Sequence, residues 1–232
     1  MALYFAGSTG NYAEITLGYG NTLSNTSGMI SFWIKPILDY GIPLSTKGLL
    51  ASGAFFETNN AAGAMYCGIN NTFPLVADAR FLSDTWTHLA IGGNNTTNLT
   101  AGLLYINGEL AYQHSITAKW STSAANLYLG RWDMGTFPYT GWIGDIRVWN
   151  RRLTPAEVLS VYNNQDVTSG LVERWPLTES SGSTITGTIG GNNGTITGTP
   201  TWGGTSIPYG TPSAAGGVAR LINGGLVRGQ VL

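Results

Sequence analysis

Few side chains in this chain have the types and spacing for covalent chemistry. Its 232 residues hold two histidines, one cysteine and twelve acidic residues. The carboxylates Glu14, Glu57, Asp78, Asp84, Glu109, Asp133, Asp145 and Glu157 are scattered along the sequence. Hydrolysis of a glycosidic bond needs two carboxylates about 5–10 Å apart, and no closely spaced acidic cluster suggests such a pair. His88 lies between Thr87 and Leu89 with no Ser or Cys nucleophile beside it, and reads as a strand residue next to Trp86. Cys67 has no partner for a disulfide within the chain and reads as a small buried hydrophobe. The pattern predicts a protein without catalytic residues.

Binding chemistry is better represented. The segment Arg131-Trp132-Asp133-Met134-Gly135-Thr136-Phe137-Pro138-Tyr139 combines rings that can stack on sugars with groups that can hydrogen-bond them. The candidate glycan-binding residues are Arg131, Trp132, Asp133, Phe137 and Tyr139, with Trp120 as a further exposed-ring candidate. The competing assignment is that these rings cap the sandwich edge, because aromatics supply much of the buried area of a β protein. Trp33, Trp86, Trp142, Trp149 and Trp175 fall on strands and are expected in the core.

Around these residues the chain reads as short strands separated by turns. Gly is abundant at 33 residues, which suits tight turns rather than helices. Leu3–Phe5, Tyr12–Ile15, Gly28–Pro36, Leu49–Phe56, Ala64–Asn70, Thr85–Gly92, Asn126–Arg131 and Gly170–Leu177 are the expected strands. Leu103–Tyr112 is a hairpin with Asn107-Gly108 as its type I′ turn. Thr195–Thr197 and Thr201-Trp202 are expected as short strands. Thr154, Pro155 and Glu157 supply an N-cap, a first-turn proline and the carboxylate of a capping box, so a short helix begins there.

Composition excludes some partners. Lys and Arg number 11 against 12 acidic residues, for a net charge of −1, which gives no broad attraction to nucleic acid or to an anionic membrane. No apolar run is long enough for insertion across a bilayer. Met1–Phe5 lacks the basic start of a signal peptide, so the expected site of synthesis is a cytoplasm.

Taken in order, these segments resemble the laminin-G-like (concanavalin A-like, pentraxin-like) domain family. Leu3–Gly7 with Tyr12–Ile15 is similar to its opening pair, and Ser31–Pro36 to its first inner strand. Trp86–Ala90 is similar to its central tryptophan–histidine strand, and Leu104–Gly108 and Leu127–Gly130 to its hairpin and next strand. Phe137–Val158 resembles the closing strand and short helix. Gly170–Leu177 resembles the late strand that pairs with the N-terminal one. The resemblance implies an all-β, two-sheet antiparallel jelly-roll sandwich over residues 1–205, with one short helix near 154–162. The fold serves lectins, adhesion modules, glycosidases and viral structural proteins alike.

Many members of that family hold calcium between loops. Where they carry acidic ligands this chain has Ala6, Gly10, Asn11 and Gly144, so no metal or other cofactor is expected. Glu14 and Asp145 remain as weak candidates for calcium.

Residues 206–232 have no acidic residue and hold a repeat eight residues apart, Gly216–Arg220 and Gly224–Arg228. They read as a C-terminal arm suited to β-augmentation on a neighbour, with Val218, Arg220, Leu221, Leu226, Val227 and Arg228 as docking residues. Such tails resemble those of bacteriophage surface proteins. The first expectation is therefore a structural protein at a virion surface, such as a capsid decoration or fibre component, that contacts capsid or other virion subunits and forms an oligomer. The alternative is a lectin or adhesin that binds cell-surface glycans. A glycoside hydrolase ranks third.

Overall fold

The computed structural model describes residues 1–17, 27–37, 40–46, 54–59, 64–69, 75–77, 83–94, 101–115, 125–132, 136–204, 206–210, 220–222 and 225–227. Two antiparallel sheets face each other. The first contains β1 (Ala2–Ala6), β3 (Ser27–Pro36), β8 (Thr87–Asn94), β9 (Ala101–Ile106), β10 (Glu109–Ser115), β12 (Thr140–Trp149), β13 (Leu171–Trp175) and β16 (Thr201–Gly203). Its order is β10-β9-β8-β3-β12-β1-β16, with β13 also on β12. The second contains β2 (Tyr12–Leu17), β4 (Gly41–Thr46), β5 (Ala54–Asn59), β6 (Ala64–Ile69), β7 (Leu75–Ala77), β11 (Ala125–Leu129), β14 (Thr184–Ile185) and β15 (Gly194–Thr197), in the order β14-β15-β2-β11-β4-β5-β6-β7. Helix α1 (Pro155–Tyr162) follows β12.

The sandwich core forms because alternate residues of each strand face inward. Phe5, Phe32 and Ile143 of the first sheet meet Ile15, Phe56 and Leu127 of the second. Phe32 and Phe56 bridge the two sheets edge to face, with centroids 4.5 Å apart. The strand Ser27–Pro36 is apolar on both faces because both are covered. Its outer face lies under α1, where Met29, Trp149 and Tyr105 pack with Val158 and Val161. Trp33 stacks on Tyr162 at 5.5 Å.

The predicted cap is present. Glu157 N donates to Thr154 Oγ1 at 3.3 Å, and Thr154 N donates to Glu157 Oε2 at 2.8 Å. The Asn107-Gly108 turn is also present, with φ of 52° and 81°.

Three expectations change. Strand β4 was not among the expected strands; its Pro43 sits in a register shift between Gly41 and Leu44, the kind of site where a strand tolerates proline. The strand β13 pairs with β12, not with the N-terminal strand. β1 takes the Thr140–Ile143 part of β12 and β13 the Ile146–Trp149 part, so the two lie end to end along one edge. The packed chain also continues past 205: Ile207 is buried and Gly210 N donates to Tyr162 O at 3.2 Å. Leu49–Gly53 of the expected fourth strand lie outside the described residues.

Beyond it, β17 (Arg220–Ile222) pairs with β18 (Gly225–Val227) as a separate two-stranded sheet. Of the expected docking residues, Arg220, Leu221, Leu226 and Val227 lie on this hairpin, and Val218 and Arg228 lie outside the described residues. Between the strands the sequence is Asn223-Gly224, the pair that two-residue hairpin turns favour.

Candidate functional site

The segment 131–139 leaves the second sheet and returns to the first, and its base is tied to both. Gly130 N donates to Pro43 O at 2.9 Å, and Tyr139 N donates to Gly130 O at 2.8 Å. Gly130 needs its φ of 87°, and a Cβ there would lie 2.4 Å from the Phe5 ring. Trp132 N donates to Thr136 O at 3.0 Å, closing the loop, and Ile42 N donates to Phe137 O at 3.0 Å. Phe137 adopts φ 54°, which directs its ring out of the sandwich.

Three rings meet at this end. Phe137 packs edge to face against Tyr40, with centroids 5.6 Å apart, and against Trp132 at 6.4 Å. Phe137 is 39% exposed and Tyr40 46%, and Ile37 nearby in sequence is 39% exposed. Tyr40 was not anticipated; its only signal is an aromatic residue just before the Gly41-Ile42-Pro43 strand entry. Burial and the nearby Glu57 carboxylate push the Tyr40 hydroxyl above its ordinary pKa, so it stays a neutral donor.

Tyr139, expected in the same site, is fully buried. Its hydroxyl donates to Trp142 O at 3.3 Å, so its ring is core and presents no face to a ligand. Strand alternation alone would put residues two apart on one face; the φ of 54° at Phe137, before β12 begins, breaks that pattern, so Phe137 is exposed while Tyr139 is buried. Arg131 faces the outer side of the second sheet, its guanidinium 3.3 Å from the centroid of the Tyr12 ring. Asp133 and Trp120 lie outside the described residues.

The strand tryptophans divide. Trp33, Trp149 and Trp175 are buried, and Trp86 is 9% exposed. Trp142 is partly exposed and packs on Tyr4 with centroids 4.9 Å apart.

The polar groups most nearly suited to chemistry serve the fold. Asp145 is 2% exposed and sits at φ 41°, in the register shift between Gly144 and Arg147. That irregularity reverses the alternation of β12, so Ile143 and Ile146 both face the core and Asp145 does not. Its carboxylate accepts from Arg147 Nη2 at 2.7 Å, Arg174 Nε at 2.8 Å and Tyr209 Oη at 3.0 Å. Burial raises its pKa, but the two guanidiniums outweigh that and hold it below the usual carboxylate value. His88 is buried beside Trp33 and Tyr162, and neither ring nitrogen has a partner. Burial lowers its pKa to about 3, so it is a neutral ring in the fold.

A calcium ion does not fit the two acidic candidates. Glu14 is on β2 and Asp145 on β12, in different sheets. Glu14 Oε1 accepts from Asn126 Nδ2 and from Tyr128 Oη, and Asp145 is filled by the donors above. Among the described residues no three His, Cys, Asp or Glu side chains converge as metal ligands.

Comparison with known proteins places these features. The chain resembles a putative carbohydrate-binding protein from Bacteroides ovatus ATCC 8483 at 22% identity and TM-score 0.63, over 87% of this chain and 59% of that one. The chain thus spans about three fifths of the length of that relative. It resembles the heptameric SAP-like pentraxin of Limulus polyphemus at 16% identity and TM-score 0.53, over 69% of this chain and 80% of that one. It also resembles the CBM40 of a Ruminococcus gnavus sialidase, solved with α2,3-sialyllactose, at 18% identity and TM-score 0.51, over 69% and 95% of the two chains. No curated protein sequence matches. The sequence profile Laminin_G_3, described as the concanavalin A-like lectin/glucanases superfamily, matches residues 8–159. With two facing antiparallel sheets and one short helix among the described residues, and this match over most of its length, the chain belongs to the concanavalin A-like lectin/glucanases superfamily.

Proposed function

We propose that this protein is a carbohydrate-binding module whose site is the aromatic end formed by Tyr40, Trp132 and Phe137. The observation that carries this reading is the exposure of Phe137 and Tyr40 in one contiguous ring cluster on a loop whose base is held by backbone hydrogen bonds. Exposed apolar surface on a rigid frame marks an interaction site, and rings add contact area at low entropic cost. The likeness to the Bacteroides ovatus protein and the CBM40 supports the same reading. Glycan-array screening followed by titration calorimetry tests it. Phe137→Ala and Trp132→Ala should each weaken binding about tenfold, on the order of 1.4 kcal/mol, with the fold intact. A parent protein that binds no glycan, or variants that bind as tightly as the parent, would overturn it.

A second reading, assembly on virion or capsid subunits through the C-terminal arm, rests on one observation: β17 and β18 pair with each other and with neither sandwich sheet. Ile222→Pro in the full chain would disrupt the β17–β18 pairing, in which Ile222 faces Gly225. On this reading it abolishes concentration-dependent association in light scattering; an unchanged solution mass refutes it.

A further inference from the structure

Several of the described cations sit against carboxylates. Lys35 pairs with Asp84 at 3.0 Å, Arg151 with Glu157 at 2.6 Å, and Arg147 and Arg174 share Asp145. Arg131 has no carboxylate partner among the described residues. Its guanidinium is nonetheless held in place. It lies on the Tyr12 ring at 3.3 Å, near the Tyr128 ring at 5.9 Å, and Nη1 donates to Thr9 O at 3.3 Å. Its Nε is buried without an acceptor.

A guanidinium carries five N–H donors, and among the described residues only Nη1 has an acceptor. Ordering such a long side chain costs rotamer entropy, and a buried donor left without an acceptor costs its desolvation. A planar oxyanion is the group that a guanidinium fork fits best. Glu14, alternating with Tyr12 on the same face of β2, already accepts from Asn126 and Tyr128. Exposed Thr195 and Thr197 of β15, opposite Glu14 and Tyr12, border the face with hydroxyls. Trp132 follows Arg131 directly and joins the ring cluster of the proposed site.

From this arrangement we infer that the glycan recognised by this protein carries a carboxylate, and that Arg131 is its anchor. The inference rests on the carbohydrate-binding reading and narrows it to acidic sugars. The guanidinium sits on a ring and a backbone carbonyl, so it is preorganised and loses little freedom when the carboxylate arrives.

The test compares matched ligands that differ only in charge: an oligogalacturonate and its methyl ester, and a sialylated oligosaccharide and its methyl ester. The full chain should bind the acid of one pair at least about tenfold more tightly than its ester, and that pair identifies the source of the carboxylate. The preference should shrink as salt rises, while ester binding stays constant. Arg131→Gln should bring acid and ester to within about twofold, and Arg131→Lys should fall between. A role of Arg131 confined to holding Tyr12 would lower thermal stability in the Gln variant and leave the acid-to-ester ratio unchanged, which refutes the inference. Equal binding of acid and ester by the parent also refutes it and leaves the carbohydrate-binding reading standing. Binding of neither pair, with no other glycan bound, removes both. The parent's acid-to-ester ratio needs no variant, so the outcome does not depend on how Arg131→Gln folds.

Discussion

Arg174 of β13 places its Nε 2.8 Å from Oδ1 of Asp145 on β12, at the point where the edge partner of β12 changes from β1 to β13. The same carboxylate receives Arg147 from its own strand and Tyr209 from the segment after β16. One buried charge thus ties together two strands and the turn at Tyr209. Asp145→Asn removes the nearer and only buried counter-charge of the two carboxylates paired with the Arg147 guanidinium, 1% exposed, and leaves it the exposed Asp166 at 3.5 Å. Breaking a buried pair in this way costs about 3–5 kcal/mol. Urea denaturation should show a loss of that size, and a loss under about 1 kcal/mol, the range of a surface pair, would contradict the assignment.

His88 sets a pH window. Unfolded, it takes up a proton near its ordinary 6.5; folded, burial holds it neutral down to about 3. Between these values the unfolded chain binds the extra proton, so stability falls as pH drops below 6.5, by up to about 1.4 kcal/mol per pH unit. Asp145, whose folded pKa is lowered, adds a loss in the same direction only in the range where carboxylates titrate. His88→Gln should flatten the dependence between pH 6.5 and 5. An unchanged slope in that variant would show that another group titrates there.

Glu173 is fully buried and staples the loop after β14. Its carboxylate accepts from the backbone N–H of Arg174, Ile189, Gly190 and Asn192 and from Asn192 Nδ2, at 2.7–3.0 Å. Glu173→Gln turns an NH2 group toward some of these donors and should cost about 1–3 kcal/mol. Hydrogen exchange should rise first at Ile189, Gly190 and Asn192. Uniform acceleration over the whole molecule would point to global rather than local opening.

Tyr139 and Phe137 are two residues apart and should behave oppositely. Tyr139→Phe removes the bond to Trp142 O and should cost about 0.5–1.5 kcal/mol with glycan affinity unchanged. Phe137→Ala should lower affinity with little change in stability, since the ring is already 39% exposed. A loss of glycan binding in Tyr139→Phe would return that residue to the site.

The fold was legible because its signals are local. Alternation in Thr87–Ile91, the Asn107-Gly108 turn and the Thr154–Glu157 box each depend on residues within a few positions of each other. Their order along the chain was enough to indicate the superfamily. Strand β4 was missed, since nothing local tells a strand with a bulge at Ile42–Pro43 from a loop.

The site was only half legible. Sequence marks Trp132, Phe137 and Tyr139 equally as rings in one segment. Which of them faces solvent depends on where the loop rejoins β12, and on the backbone bonds of Gly130, Phe137 and Tyr139. Tyr40 joins them from some ninety residues away, through contacts between strands that are distant in sequence. Asp145 shows the same division. Its type and its place before Arg147 are in the sequence. Its burial among Arg147, Arg174 and Tyr209 follows from a register shift and from the return of the chain after β16. The sequence by itself determined most of the strands, the hairpin turn and the cap, because these arise from short-range sterics and hydrogen bonding. Only the tertiary structure decided which polar and aromatic groups were spent on the core and which were left at the surface, because that depends on packing between distant segments.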